Sequence, residues 1–362
     1  MQPHLPQPRG PLSEHLCHLL LQQPRSFALP LEALGDHLED EDLQLALHIC
    51  YGLHYDGFAG VSEEWEWAPG LLQLLKCLES RFLEILRRES RIRRVGPGGE
   101  VNVSELSKQL RTLLTWEGGP SLSAYLCDDG DRDELREFVI HRSIYQRKEA
   151  DPHTWAIPRL RGRAKSALVH LQTDEYGSGR PQRSHAELFA TTMVALDLDP
   201  SPGAYIDQVP GVTLATDNLV SFFGLHRRWR GALVGHLAVF EMTSVVPMSR
   251  YASAVRRILG DERAAEFFDV HVEADVAHGH IAATELVTGL AESDEEAAGD
   301  ILFGAAALLG LELRFATHLL ARWAEGASSL YPAPSVLASF PTHLELVCSD
   351  DLRLSEGQLS PI

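Results

Sequence analysis

Phe267-Phe268-Asp269-Val270-His271-Val272-Glu273-Ala274-Asp275-Val276-Ala277-His278 carries two imidazoles and three acids within twelve residues. At roughly 100° of rotation per residue, a helix through this segment puts His271, Asp275 and His278 within an arc of about 60°. Phe267, Phe268 and Ala282 continue that face in both directions. Three polar side chains in a row are hard to satisfy with backbone partners inside an apolar helical interface. A metal ion would satisfy all three. The competing reading is a solvated stripe, because Asp269, Glu273 and His280 are polar too, and this segment alone does not choose between them.

Further polar residues fall on the apolar faces of neighbouring helices. The spacing predicts a helix from about Asp131 to Glu149, with Leu135, Phe138, Tyr145 and Glu149 on one face, stopped by Asp151-Pro152. A second, from near Trp155, runs Ile157, Leu160, Ala164, Leu168, Leu171 and Glu175 at spacings of three and four. Tyr176-Gly177-Ser178-Gly179-Arg180-Pro181 must interrupt it. On the helix that follows, His185 shares a face with Leu188, Phe189, Thr192 and Leu196. After a helix over about Leu214 to Leu225, another from about His226 to Thr243 stacks Leu233, Leu237 and Glu241, and Pro247 closes that segment. The helix carrying His271 runs from Asp261 to about Leu290, and a long apolar helix from Asp300 to Ala324 follows. The inward-facing set is therefore Glu149, Glu175, His185, Glu241, His271, Asp275 and His278. Four carboxylates and three imidazoles suit two divalent ions, whose charge the carboxylates balance, and the lack of thiolates argues against structural zinc. For any one of these residues a satisfied core histidine or a helix-end charge is the simpler explanation. His15, His18, His37, His236 and His280 show no such regularity and read as surface or packing residues.

The amino-terminal half is also helical. Residues 1 to 11 are Pro-rich and expected to be disordered; Ser13 can cap a first helix, and further helices are expected from Asp40 to Leu53, Leu71 to Arg88, and Asn102 or Ser104 to about Trp116. No alternating stretch competes, so the chain is expected to be all-α. It divides into a helical amino-terminal region (12–120), a core (121–330) and a loosely attached tail (331–362), with the boundary near Gly118 to Asp131.

The chain has 362 residues, 44% of them apolar, and a formal charge of −19. That is ample for a buried core, and the acidic balance disfavours nucleic acid or anionic lipid as partner. The five cysteines, Cys17, Cys50, Cys77, Cys127 and Cys348, include no Cys-x-x-Cys pair, and the amino terminus has no apolar signal segment, which together indicate reducing cytoplasm. The chain contains no Glu-x-x-His, His-Glu-x-x-His or Gly-x-Ser-x-Gly, and no P-loop or dinucleotide fingerprint.

The ordered series Glu175-x9-His185, Glu241, His271-x3-Asp275-x2-His278 resembles the heme-oxygenase-like di-iron oxidases, a group of iron-containing redox enzymes with a seven-helix core. Glu149-Ala150-Asp151-Pro152-His153-Thr154-Trp155 and the Gly177 turn look like its actinobacterial branch. The resemblance implies two Fe(II) ions, O2 as co-substrate and an external electron donor, with Glu175, His185, Glu241, His271, Asp275 and His278 as ligands. Glu149 stands where N-oxygenating members carry an additional carboxylate, whereas Ser178, Gln182 and Ser184 occupy an interval in which some of them hold another acid. The implied activity is N-oxygenation of an amino-acid amine, lysine- or arginine-like, to a hydroxylamine or nitro group in natural-product biosynthesis. The alternative is oxidative decarboxylation or C–C cleavage of an amino or fatty acid at the same site. A reductase and a second copy of the chain are the protein partners this reading allows; no membrane is implied.

Overall fold

The computed structural model describes residues 2–27, 35–89, 103–115 and 119–333, and among them the chain is all-α, without strands. The helices are α1 (Pro11–Leu20), α2 (Glu41–Gly52), α3 (Pro69–Glu89), α4 (Val103–Leu114), α5 (Leu122–Asp128), α6 (Arg132–Gln146), α7 (Asp151–Thr154), α8 (Gly162–Glu175), α9 (His185–Ala195), α10 (Gly211–Leu225), α11 (Arg230–Thr243), α12 (Val245–Leu259), α13 (Glu262–Ile281), α14 (Thr288–Ser293) and α15 (Ala297–Ala324). A π-helical segment, Ala282–Val287, joins α13 to α14. No single helix among the described residues is long and apolar enough to cross a membrane.

The core centres on α10, α11 and α15, with α2 against α10 and with α13 enclosed by α12, α9 and α11. At the α11–α13 crossing, a Cβ on Gly279 would stand 2.8 Å from the carbonyl oxygen of Glu241, so only glycine lets the two backbones approach this closely. The described residues up to Pro332 form one compact unit, and the amino-terminal helices pack on the rest across the boundary expected near Gly118 to Asp131. Residues 334–362, which hold most of the expected loose tail, lie outside the described residues.

Several expectations are corrected by local chemistry. Residues 2–10 do not wander: Ala59 donates its backbone N–H to Pro3 O at 2.8 Å, Gln7 N–H reaches Asp207 Oδ1 at 2.7 Å, and Arg9 pairs with Glu41 at 2.7 Å. Ser13 does not cap α1, which begins at Pro11, but ties α1 to α2 by donating to Asp42 Oδ1 at 2.5 Å. α6 stops at Gln146, one turn before Glu149, and the chain restarts as α7 with Pro152 early enough that its missing N–H costs nothing. α8 begins at Gly162 rather than near Trp155, because Pro158 confines residues 157–159 to a 3-10 turn. Pro247 does not end α11; it lies in the first turn of α12, a helix that the periodicity did not reveal.

Candidate metal centre

The seven inward-facing residues converge in two groups, each with donor atoms within 4.8 Å of one another: Glu149, Glu175, His185 and His271, and Glu241, Asp275 and His278. Their positions follow from local structure. Gly177, Ser178 and Gly179 all adopt left-handed φ (70°, 51° and 79°), which reverses the chain between Glu175 at the end of α8 and His185 at the start of α9. A Cβ on Gly177 would stand 2.6 Å from the backbone carbon of Arg183, so this turn packs directly on the segment that presents His185. Glu149 sits in the turn after α6, where its carbonyl accepts the His153 Nδ1–H at 3.1 Å. His153 Nε2 must then accept from His236 Nδ1–H, 3.2 Å away. His236 is thus a packing residue, as expected, and it steadies the Glu149 turn through His153.

Hydrogen bonds outside the groups aim the lone pairs inward. A carbonyl can only accept, so the 2.7 Å contact of His271 Nδ1 with Phe267 O places the proton there and leaves Nε2 free, facing Glu149 Oε1 at 3.8 Å. His278 donates from Nε2 to Asp174 at 3.0 Å, and its Nδ1 faces Glu241 Oε2 at 3.3 Å and Asp275 Oδ1 at 3.5 Å. Ser244 Oγ donates to Asp275 Oδ2. Asp174, Ser244 and His153 were not singled out in the sequence. Asp174 could have been suspected as the neighbour of Glu175, whereas nothing in the chain pattern marks Ser244.

Burial makes the cluster costly without a cation. Glu149, His185, Glu241, His271, Asp275 and His278 are all buried, and Glu175 nearly so. Glu149 Oε1, Glu175 Oε2, His185 Nδ1, Glu241 Oε2 and His278 Nδ1 are buried without any hydrogen bond. His185 Nδ1 and Glu175 Oε2 approach to 2.8 Å in a geometry that directs no hydrogen between them. Convergent lone pairs of this kind are what a metal ion satisfies. Burial alone would lower the His185 imidazole, but the facing Glu175 and Glu149 carboxylates outweigh it and hold the group up at about 11. His278 is raised to about 10 in the same way, with Asp275 and Glu241 overcoming the effect of burial. Burial, reinforced by the charges of Asp275 and Glu175, pushes the Glu241 carboxyl up to about 8. The facing carboxylates therefore favour positive charge in this pocket. Oxygen and imidazole donors without thiolate match iron among the borderline divalent ions.

Five of the seven residues, Glu149, Glu175, Glu241, His271 and Asp275, also line a cavity of about 360 Å3. The rest of its wall is largely apolar, including Phe138, Phe189, Leu237, Phe240 and Phe267. The arrangement can hold a cation in the wall of a pocket sized for a small organic molecule.

Residues 136–313 match the model of a family described as iron-containing redox enzyme. The chain is also 26% identical over 145 residues to nitrosourea synthase of Streptomyces achromogenes subsp. streptozoticus, a match that covers 40% of this chain and 31% of that relative. The chain thus spans about a third of the length of the curated relative it matches.

Proposed function

Because the chain belongs, through residues 136–313, to the iron-containing redox enzyme family, we propose that it is an oxidoreductase that uses O2 at a pair of iron ions. The amine of an amino acid, lysine- or arginine-like, is N-oxygenated to the hydroxylamine and onward to the nitro level, in natural-product biosynthesis. The observation that carries this reading is the pairing of two donor groups whose members Glu149, Glu175, Glu241, His271 and Asp275 line one largely apolar cavity. Glu149, Glu175, His185 and His271 would hold one ion, and Glu241, Asp275 and His278 the other. Similarity to a nitrosourea synthase supports nitrogen as the atom oxidised, since a nitrosourea contains an oxidised nitrogen.

Bound iron would supply the one-electron steps that let O2 oxidise a closed-shell amine. The first conversion balances as R–NH2 + O2 + two electrons + two protons giving R–NHOH + H2O, with the electrons from an external donor such as a reductase. The chain's own part is placement. Phe267 O and Asp174 fix the tautomers of His271 and His278, and Ser244 orients Asp275. The aromatic wall excludes water and presents the amine to the Glu149 side. Glu149 is the additional carboxylate that favours oxidation of nitrogen over decarboxylation.

The test is anaerobic Fe(II) loading followed by metal counting, then O2 consumption with amino-acid amines and mass analysis of products. About two irons per chain and a product heavier by one oxygen atom are expected. Retention of no iron sinks the reading, and release of CO2 that survives Glu149→Gln reassigns the reaction to decarboxylation.

A further inference from the structure

We propose that Arg142, Gln146 and Glu312 bind the α-amino-acid head of the substrate and hold it so that its side-chain amine reaches Glu149, which lines the same cavity. This rests on the N-oxygenation reading above and deepens it. Apart from the metal-facing residues, Arg142 and Glu312 are the only charged side chains lining the cavity among the described residues. They form a two-pronged pair, Nη1 to Oε1 at 2.8 Å and Nη2 to Oε2 at 2.6 Å. The guanidinium lies over the Phe315 ring, 4.4 Å from its centroid.

An ion pair in a largely apolar wall is poorly explained by stability, because a well-packed apolar pair of similar volume does as well or better. It is well explained by a zwitterion. The pair occupies two of the five guanidinium N–H donors, which leaves three for a carboxylate, while Glu312 remains an acceptor for an ammonium. Gln146 supplies the independent sign of a ligand. It lies one turn beyond Arg142 on α6 and lines the same cavity, and its buried Oε1 has no hydrogen-bond partner. An ammonium or amine N–H placed between Gln146 and Glu312 satisfies it.

Arg142 and Gln146 lie one turn apart on α6, and Glu149 follows in the turn after that helix, so the head-group residues and the metal-facing carboxylate line one cavity without coinciding. That suits an amino acid whose flexible side chain ends in nitrogen. The apolar part of the wall accommodates the methylenes, and a bare alkylamine would leave Arg142, Gln146 and Glu312 unused.

The experiment is calorimetric binding under anaerobic conditions, with iron counted separately, so that failure of metal loading and failure of head-group recognition are read independently. The probes are L-lysine and L-arginine with their decarboxylated partners, cadaverine and agmatine, and 6-aminohexanoate, which lacks the α-amine. The better of the two amino acids is expected to bind at least tenfold more tightly than its decarboxylated partner. Arg142→Gln/Glu312→Gln, which keeps a neutral hydrogen-bonded pair, should abolish that preference, so that the amino acid and its decarboxylated partner bind alike. Should that variant fail to fold, Gln146→Leu gives the second reading: L-lysine weakens several-fold and 6-aminohexanoate does not. Equal binding of L-lysine, cadaverine and 6-aminohexanoate, an undiminished preference in a folded variant, or no binding of either amino acid would overturn the proposal.

Discussion

Asp174 accepts the Nε2–H of His278 at 3.0 Å, while the next residue in the chain, Glu175, brings Oε2 within 2.8 Å of His185 Nδ1. One dipeptide at the end of α8 thus serves both donor groups. Asp174 steadies the Glu241, Asp275 and His278 group from outside, and Glu175 belongs to the other. Any shift of this helix end moves both.

Replacing Asp174 by alanine removes the acceptor that fixes the His278 tautomer. Metal affinity of the second group should fall by about 10–100-fold, the usual cost of losing a hydrogen-bond partner of a ligating histidine. Competition titration against a chelator would show one weakened ion and one unaffected. Two unaffected ions would remove Asp174 from this role.

Glu149 tests the electrostatics from the other side. Burial and the neighbouring Glu175 charge raise its carboxyl, so in metal-free protein Glu149→Gln relieves a buried repulsion and should raise the melting temperature. The stabilisation gained on adding Fe(II) should shrink at the same time, since one donor is lost. A variant that lowers the metal-free melting temperature and leaves the metal response intact would contradict both halves.

Gly279→Ala probes the crossing of α11 and α13. Alanine gains up to about 1 kcal/mol in helix propensity, but its Cβ meets the Glu241 carbonyl oxygen at 2.8 Å and must push the helices apart. Net destabilisation of about 1–3 kcal/mol is expected, with loss of the ion at the second group. Urea unfolding and metal counting would check it. A gain in stability would show that the crossing tolerates the methyl.

Acid sensitivity should trace to Asp217. Its side chain is 2% exposed, with Lys148 Nζ at 3.1 Å and His48 Nδ1 at 3.2 Å. Burial alone would raise this carboxyl, but Lys148 and His48 outweigh it and hold it below the usual range. A group with a depressed folded value contributes stability that is fully present above its unfolded value, about 3.9, and lost as pH falls through the lower folded value. Asp217→Asn should therefore cost about 3–5 kcal/mol at pH 7, because it leaves Lys148 without its buried partner. It should also flatten the loss of stability below about pH 4. Melting curves from pH 3 to 7 would reveal an unchanged acid limb if other carboxylates dominate.

The amino-acid sequence by itself determined the all-α class and the identity of the inward-facing polar residues. Helical periodicity reports which face a side chain shares, and a carboxylate at the end of an apolar stripe stands out at Glu149, Glu175 and Glu241 without any knowledge of partners. The same logic located His271, Asp275 and His278, because all three lie on one helix. Periodicity is silent about irregular backbone. That is why the early end of α6, the late start of α8 and the helix beginning around Pro247 differ from expectation. It is equally silent about contacts distant in sequence. Only the tertiary structure sorted the seven residues into two groups, brought Asp174 to His278 across 104 residues, and set Arg142 against Glu312 across 170. The amino-terminal segment belongs here too, since its prolines forbid a helix but do not forbid the hydrogen bonds that fasten Pro3 and Gln7 to partners far along the chain. A helix fixes its own faces through local rotation, whereas which faces meet depends on how all of them bury apolar area together.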